Sequence, residues 1–262
     1  MRRFGTGLIL LVMSACAPTA TDPELTPEAD LPADQIISGT EFLTADTRAL
    51  QADSFANPGF LWVDRGAGLF RAVPESGPAC QSCHENGLGG VATRYPAIDA
   101  ASGNLLNLEG RINQCRIDHQ DLSPLPYESE DLLALTAYVA NQSYGMPIAV
   151  DTTGPAAEYL AVGERYFRTR RGQFNLSCQQ CHTETWGKQL RGDTISQGHG
   201  NGFPAYRLEW QSLGSLQRRL RDCDTGVRAE PLPYGDPLYV AVELYLAARA
   251  QGLDMESPAV RR

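Results

Sequence analysis

The sequence predicts a mainly α-helical chain: two tandem domains that repeat one another, preceded by an N-terminal extension. Three observations predict it. A set of motifs recurs in the same order about 100 residues apart. Each copy is bounded by segments whose apolar residues fall at helical spacing. Strand-like alternation is scarce. A length of 262 residues with 42% hydrophobic residues accommodates two domains of ordinary size, each with its own core.

Taken in order, residues 1–16 read as an export signal, with Met1, Arg2 and Arg3 ahead of a short apolar run from Phe4 to Met13. That run is too short to span a bilayer, and no later stretch approaches the ~20 apolar residues a spanning helix needs. The signal implies export to the periplasm. Cys16 directly follows Met13-Ser14-Ala15, which fits a lipoprotein cleavage box that would leave Cys16 acylated as a lipid anchor. Ala15-Cys16-Ala17 fits an ordinary small-x-small cleavage site equally well, and the sequence leaves both open. Residues 17–37, rich in Pro, Thr, Asp and Ala, read as a flexible tether.

Residues 38–150 form the expected first domain, whose opening stretch, about Ser38 to Asn57, is a partly helical extension expected to pack on one domain. Residues 151–262 form the second. The repeat is explicit. Cys80-Gln81-Ser82-Cys83-His84 returns as Cys178-Gln179-Gln180-Cys181-His182, an offset of 98. Tyr95-Pro96-Ala97 returns as Phe203-Pro204-Ala205, and Arg111 with Cys115 returns as Arg219 with Cys223, both offset by 108. Pro124-Leu125-Pro126-Tyr127 returns as Pro231-Leu232-Pro233-Tyr234, offset by 107. The second copy therefore carries an insertion of about ten residues between His182 and Phe203. Helices are expected at Phe60–Ala72 and Asp131–Ser143 in the first copy. Ala156–Thr169 and Asp236–Gln251 are their counterparts, the last opening on Asp-Pro and stopping at Gly252. The join falls near Ile148 to Gly154.

Charge separates the halves. Residues 1–154 hold eight Arg and no Lys against 19 acids, whereas residues 155–262 hold 13 Arg and one Lys against 12. The net charge of −9 argues against nucleic acid as the main partner. The Arg-rich half suits a small anion or an acidic partner.

Each Cys-x-x-Cys-His is a c-type haem attachment site: two thiols add to the haem vinyl groups, and the adjacent histidine reaches the iron. A redox pair has no need of the histidine, and a zinc site wants a second pair nearby. The chain thus reads as two cytochrome c-like domains with two covalent haems, on Cys80 and Cys83 with His84, and on Cys178 and Cys181 with His182. The distal ligand in a small cytochrome c domain comes from before the last helix, and Met146 and Met255 lie beyond it. Cys115 and Cys223 sit in the right place, 31 and 41 residues after their histidines, with His119 and His199 as alternatives. A disulfide between Cys115 and Cys223 is the rival reading in an oxidising compartment. A thiolate on iron lowers the haem potential, which suits catalysis or sulfur chemistry better than routine electron transfer. Arg218, Arg219 and Arg221 crowd the approach to Cys223, with Arg228 after it. A guanidinium one helical turn from a reactive sulfur can hold an oxyanion such as thiosulfate, and Arg219 is placed for it. Pairing with haem propionates, or with Asp222 and Asp224, is the plainer use of these arginines.

The run Gly172-Gln173-Phe174-Asn175-Leu176-Ser177 before Cys178, together with Phe203 to Cys223 (FPAYRLEWQSLGSLQRRLRDC), resembles the second haem site of the SoxA family. The resemblance extends from about residue 38 to the C-terminus. It implies two fused cytochrome c domains that pair with a smaller haem protein, SoxX, as an L-cysteine S-thiosulfotransferase. That enzyme joins thiosulfate to a cysteine of the carrier SoxYZ, and two electrons leave through the haems to an external cytochrome c. It further implies His84 with Cys115 and His182 with Cys223 as axial pairs, Cys223 as the catalytic ligand, carried in the family as a persulfide, and Arg219 as substrate-binding. Competing classes are a thiosulfate dehydrogenase forming tetrathionate and a non-catalytic dihaem electron carrier.

Overall fold

The computed structural model describes Met1 and residues 31–262. The signal segment with Cys16, and the tether up to residue 30, lie outside the described residues. The last residues of the tether lie along the second domain: the Ile37 amide donates to Gln197 Oε1 (2.9 Å), and Gln197 Nε2 donates to the Gln35 carbonyl (2.7 Å).

Helix α1 (Ala45–Ala52) starts on Thr44, whose hydroxyl accepts from the Thr47 amide. The first module then runs α2 (Phe60–Arg71), α3 (Cys80–Cys83), β1 (Ala97–Ile98), β2 (Leu105–Leu106), α4 (Leu108–Gln120) and α5 (Glu130–Asn141). The second runs α6 (Ala156–Arg168), α7 (Cys178–His182), β3 (Gln189–Leu190), β4 (Asp193–Thr194), β5 (Ala205–Arg207), β6 (Ser212–Gly214), α8 (Leu216–Gly226) and α9 (Pro237–Arg249), closed by β7 (Ala259–Arg261). The four long helices expected from periodicity are present, each one to three residues shorter. Their starts follow side-chain chemistry: Ser129 and Asp236 cap α5 and α9, and Pro237 occupies the first turn of α9.

The repeat extends from motif to packing. In each module the first helix crosses the last, α2 on α5 and α6 on α9. Both crossings pass over a glycine: a Cβ at Gly66 would collide with the Ala134 carbonyl, and one at Gly163 with the Ala241 carbonyl. The β1–β2 pair aligns Ala97 with Leu106, and β5–β6 aligns Ala205 with Gly214. Asn107 and Ser215 cap the equivalent helices α4 and α8. Tyr95–Pro96 and Phe203–Pro204 are both cis.

The modules do not keep separate cores. Phe70, Leu105, Leu135 and Val139 of the first pack in one cluster with Val240 and Leu244 of the second. The connecting segment bonds to the chain after α9, through Ile148 N–H to the Leu253 carbonyl (2.8 Å) and Gly252 N–H to the Ile148 carbonyl (3.0 Å). The extension also departs from the expectation that it packs on one domain. Leu50 packs against a cluster that joins Val63 and Leu133 of the first module to Tyr206, Leu213 and Val260 of the second. Asn57 Nδ2 donates to the Pro258 carbonyl (2.9 Å), and β7 pairs in parallel with β5. The extension therefore fastens the C-terminal strand across both modules.

Candidate functional site

The two Cys-x-x-Cys-His motifs fold as short helices. Ser177 caps α7 with a complete capping box, its hydroxyl accepting from the Gln180 amide and its own amide donating to Gln180 Oε1 (3.0 Å). No side chain caps α3. His182 ends α7, and His84 follows α3. His182 Nδ1 lies 2.8 Å from the Ser196 carbonyl, which places the proton on Nδ1 and leaves Nε2 with its lone pair for a metal. Burial first, and the charges of Arg219 and Arg249 second, lower its pKa to about 4, so the ring is neutral as a ligand must be. Gly198, at φ +77°, lies flat on the ring, where a Cβ would come within 2.8 Å of Cγ. Arg249 fixes this loop from behind, donating to the Gln197 carbonyl (2.9 Å) and to Thr183 Oγ1 (3.1 Å). His84 packs against Phe70 with ring centroids 5.9 Å apart.

All six described cysteines are free, so the disulfide alternative for Cys115 and Cys223 does not form. Cys115 on α4 interacts electrostatically with Cys80, Cys83 and Arg111. Cys223 on α8 does so with Cys178 and Cys181. Each half therefore gathers a pair of motif thiols and a third sulfur close by, a set into which a covalent haem with a sulfur ligand would fit. Burial pushes the Cys178 thiol up to about 11, against the pull of Arg171. Met255 is buried in the shared core and Met146 stands against Gly89 and Gly90. His199 is engaged through Nε2 with Gln197 Oε1 (3.0 Å), beside the glycine that covers His182.

Asp224, next to Cys223, is buried and holds α8 in place. It accepts from Tyr166 and Tyr239 hydroxyls (both 2.6 Å) and from Arg171 Nε (2.7 Å), while Arg171 Nη2 reaches Cys178 Sγ (3.0 Å). One carboxylate thus ties the distal helix, the two long helices and the motif cysteine together. Asp224 is therefore a structural brace, and of the arginines it takes Arg171.

Beside α8 opens a cleft of about 490 Å³ lined by Phe174, Arg191, Glu209, Arg219, Asp222 and Arg228, among others. Cys223 shares the helix but does not line the cleft; its sulfur faces the motif cysteines. The arginines at the sequence approach divide by use. Arg218 lies 4.2 Å over Trp210 and donates to Ser212 Oγ (3.2 Å). Arg221 lies 4.5 Å over Tyr234 and bonds the Leu232 carbonyl. Arg219 faces the cleft, with Glu209 no closer than 4.0 Å, and Glu209 is itself held by Arg207 at 2.8 Å. In the first module the equivalent Arg111 is consumed: Nη2 bonds Asp99 (2.8 Å) and Nε the Tyr95 hydroxyl (3.1 Å). Ser102 first, then Arg111, hold the Asp99 carboxyl far below the usual carboxylate range.

Sequence reasoning placed Arg219 but passed over Arg191, Arg171, Asp224 as a brace and the Ser196 carbonyl. Arg191 lies inside the insertion and has no counterpart in the first copy, so the repeat carries no signal for it.

Residues 65–148 match the family model described as "SoxA/TsdA, cytochrome c domain". The chain is 40% identical over 237 residues to the L-cysteine S-thiosulfotransferase subunit SoxA of Pseudaminobacter salicylatoxidans, covering 88% of this chain and 82% of that one. The chain belongs to the SoxA family. Its identity to the SoxA subunit of Rhodovulum sulfidophilum is 38%, over 87% of this chain and 81% of that one. The crystal structure of SoxXA from P. pantotrophus superposes with a TM-score of 0.83 at 35% identity, covering 87% of each chain. As a SoxA-family member the chain carries a cytochrome c domain around Cys80, Cys83 and His84, and its two helical modules are those of the family fold. Among the described residues no helix is long and apolar enough to cross a membrane.

Proposed function

We propose that this SoxA-family chain is the dihaem catalytic subunit of a periplasmic L-cysteine S-thiosulfotransferase. It works with a SoxX-like monohaem cytochrome and joins thiosulfate to a cysteine of a SoxYZ-like carrier. The observation that carries the reading is the pairing on α8 of Cys223 with Arg219, a guanidinium left open to the cleft while its first-module equivalent is bound by Asp99.

Cys80 and Cys83 would hold one haem, with His84 and Cys115 to the iron; Cys178 and Cys181 would hold the other, with His182 and Cys223. When bound, haem supplies the acceptor through which electrons pass, one at a time, to an external c-type cytochrome. The remaining tasks belong to side chains. Arg219 binds the sulfonate oxygens with paired hydrogen bonds and turns the outer sulfur of thiosulfate toward α8. Asp224 and Arg171 keep Cys223 and Cys178 in register. The carrier thiol enters from the open side of the cleft. Thiosulfate and the thiol give a thiosulfonate-terminated disulfide, one proton and two electrons; one sulfur–sulfur bond forms and the thiol S–H breaks.

The test uses the haem-loaded chain with its partner subunit and carrier. Cys223→Ala should abolish thiosulfate- and carrier-dependent cytochrome c reduction while intact mass still counts two haems; the same mass reads the N-terminus and any lipid at Cys16. Full turnover in that variant, or tetrathionate made from thiosulfate with no carrier present, would overturn the proposal.

A further inference from the structure

We propose that Arg228 is a second anion-anchoring residue, which with Arg219 makes the cleft selective for a dianion over a monoanion. The identity of the dianion as thiosulfate rests on the function proposed above; the anchoring itself does not. Four observations lead to Arg228.

It lines the same cleft as Arg219, and the two lie on opposite sides of Cys223 in sequence, four residues before and five after. Its backbone is left-handed, at φ +58°. That region suits glycine or asparagine and is costly for a side chain such as arginine. The first module has the same left-handed residue at the same place, Asp121 at φ +52°; both stand three residues before Pro-Leu-Pro-Tyr. The repeat has thus kept the turn and reversed the charge, so the arginine is not required by the backbone.

The guanidinium is aimed without being neutralised. Nη1 donates to Gln173 Oε1 (3.3 Å), and the group lies 4.9 Å over the Phe174 ring. Among the described residues it forms no ion pair, and the two acids of the cleft are engaged elsewhere, Glu209 with Arg207 and Asp222 with the Trp210 indole N–H (3.0 Å). The loop beneath is fixed: Gln173 and Phe174 amides donate to the Arg228 and Val227 carbonyls (both 3.3 Å). Gly172, at φ +69°, packs so close that a Cβ there would strike the backbone from Val227 to Ala229. Arg219 and Arg228, two of the three arginines that line the cleft beside Arg191, together act on both charges of a dianion, so the second fork adds more for a dianion than for a monoanion.

The probes are thiosulfate and sulfate as dianions and nitrate as a monoanion. They are titrated calorimetrically into the haem-loaded chain with its partner subunit, alongside steady-state turnover. Arg228→Gln should weaken both dianions about tenfold, as expected for a lost charged hydrogen bond, and change nitrate less than about twofold. KM for thiosulfate should rise with kcat kept, and Arg228→Lys should recover part of the affinity. Arg228→Gly relieves the backbone and should show the same loss with a thermal midpoint equal to or above the parent, which separates anchoring from folding. Unchanged thiosulfate and sulfate affinity in these variants would overturn the proposal, as would equal losses for nitrate, or a parent chain that binds neither dianion. A parent that binds dianions through Arg228 but makes no carrier adduct would instead refute the proposed function and leave this inference standing.

Discussion

The two modules share a frame and differ in what surrounds Cys115 and Cys223. Where β1 leads into Asp99, β5 ends in Arg207; where α4 is followed by a left-handed Asp121, α8 is followed by Arg228; where Cys115 precedes Arg116, Cys223 precedes the buried Asp224. In the first module Asp99 binds Arg111 and closes the site electrostatically. In the second, Arg207 takes Glu209 and repels Arg219, which is left facing the cleft. Under the proposed function, the difference means that a duplicated cytochrome c domain acquires an anion site without changing its Cys-x-x-Cys-His motif, through charge reversals one strand and one turn away.

The largest expected effect tests the shared frame. Alanine at Gly66 or at Gly163 places a methyl against a backbone carbonyl of the partner helix, which cannot give way as a side chain could. Overpacking of this kind costs ~1–3 kcal/mol, partly offset by the better helix propensity of alanine. Each variant should lower the thermal midpoint by several degrees, and by similar amounts. A loss at one glycine only would show that the two crossings are not equivalent, and would break the comparison at its root.

The next effect tests the difference. Arg207→Asp installs in the second module the acid that the first has at the equivalent position, and it should capture Arg219 as Asp99 captures Arg111. KM for thiosulfate should then rise about tenfold, the worth of one charged hydrogen bond, with both haems retained by mass. An unchanged KM would mean that Arg219 does not need its freedom, and that the reversal of charge is incidental.

Much of this was open to sequence reading because it is carried by covalent or local chemistry. Cys80, Cys83, Cys178 and Cys181 announce themselves through spacing, and α9 through Asp236, Pro237 and an apolar face. The repeat then carries over the order of the other motifs, including the Arg111–Cys115 and Arg219–Cys223 pairs one helical turn apart. What stayed hidden depends on pairing across loops. Nothing in the order of residues says that Asp99 reaches forward twelve positions to Arg111, or that Arg171 reaches Asp224 and Cys178 at once. The shared core was hidden for a related reason: apolar periodicity marks Val240 and Leu244 as buried without saying that Leu135 and Leu105 bury them. The extension was misassigned to one domain because Leu50 alone, on a short helix, cannot declare that it spans two.

The smallest effect concerns a second asymmetry, between the modules instead of within them. Glu109 on α4 and Glu243 on α9 are buried together at the seam, where the repeat would place Gln217 and Thr136 as their counterparts. Asn107 Nδ2 donates to Glu243 Oε1 (3.2 Å), the Tyr127 hydroxyl donates to Asn107 Oδ1 (3.1 Å), and Gln217 and Glu128 complete the polar surroundings. No cation among these groups faces the pair. Burial raises Glu109 to about 7, and burial with the Glu109 charge raises Glu243 well above the usual carboxylate range. A carboxyl whose pKa is higher folded than unfolded contributes its stability in full below the unfolded value, near 4.5, and loses it as pH rises through the folded value. The parent chain should therefore lose thermal midpoint between about pH 5 and pH 7, above the unfolded value and up to the raised one. Glu243→Gln fixes that side chain in the neutral form and removes its own titration, so the decline should flatten. Midpoints that fall as steeply in Glu243→Gln as in the parent would show that the seam is not what titrates, and that the two modules are joined without regard to the charge buried between them.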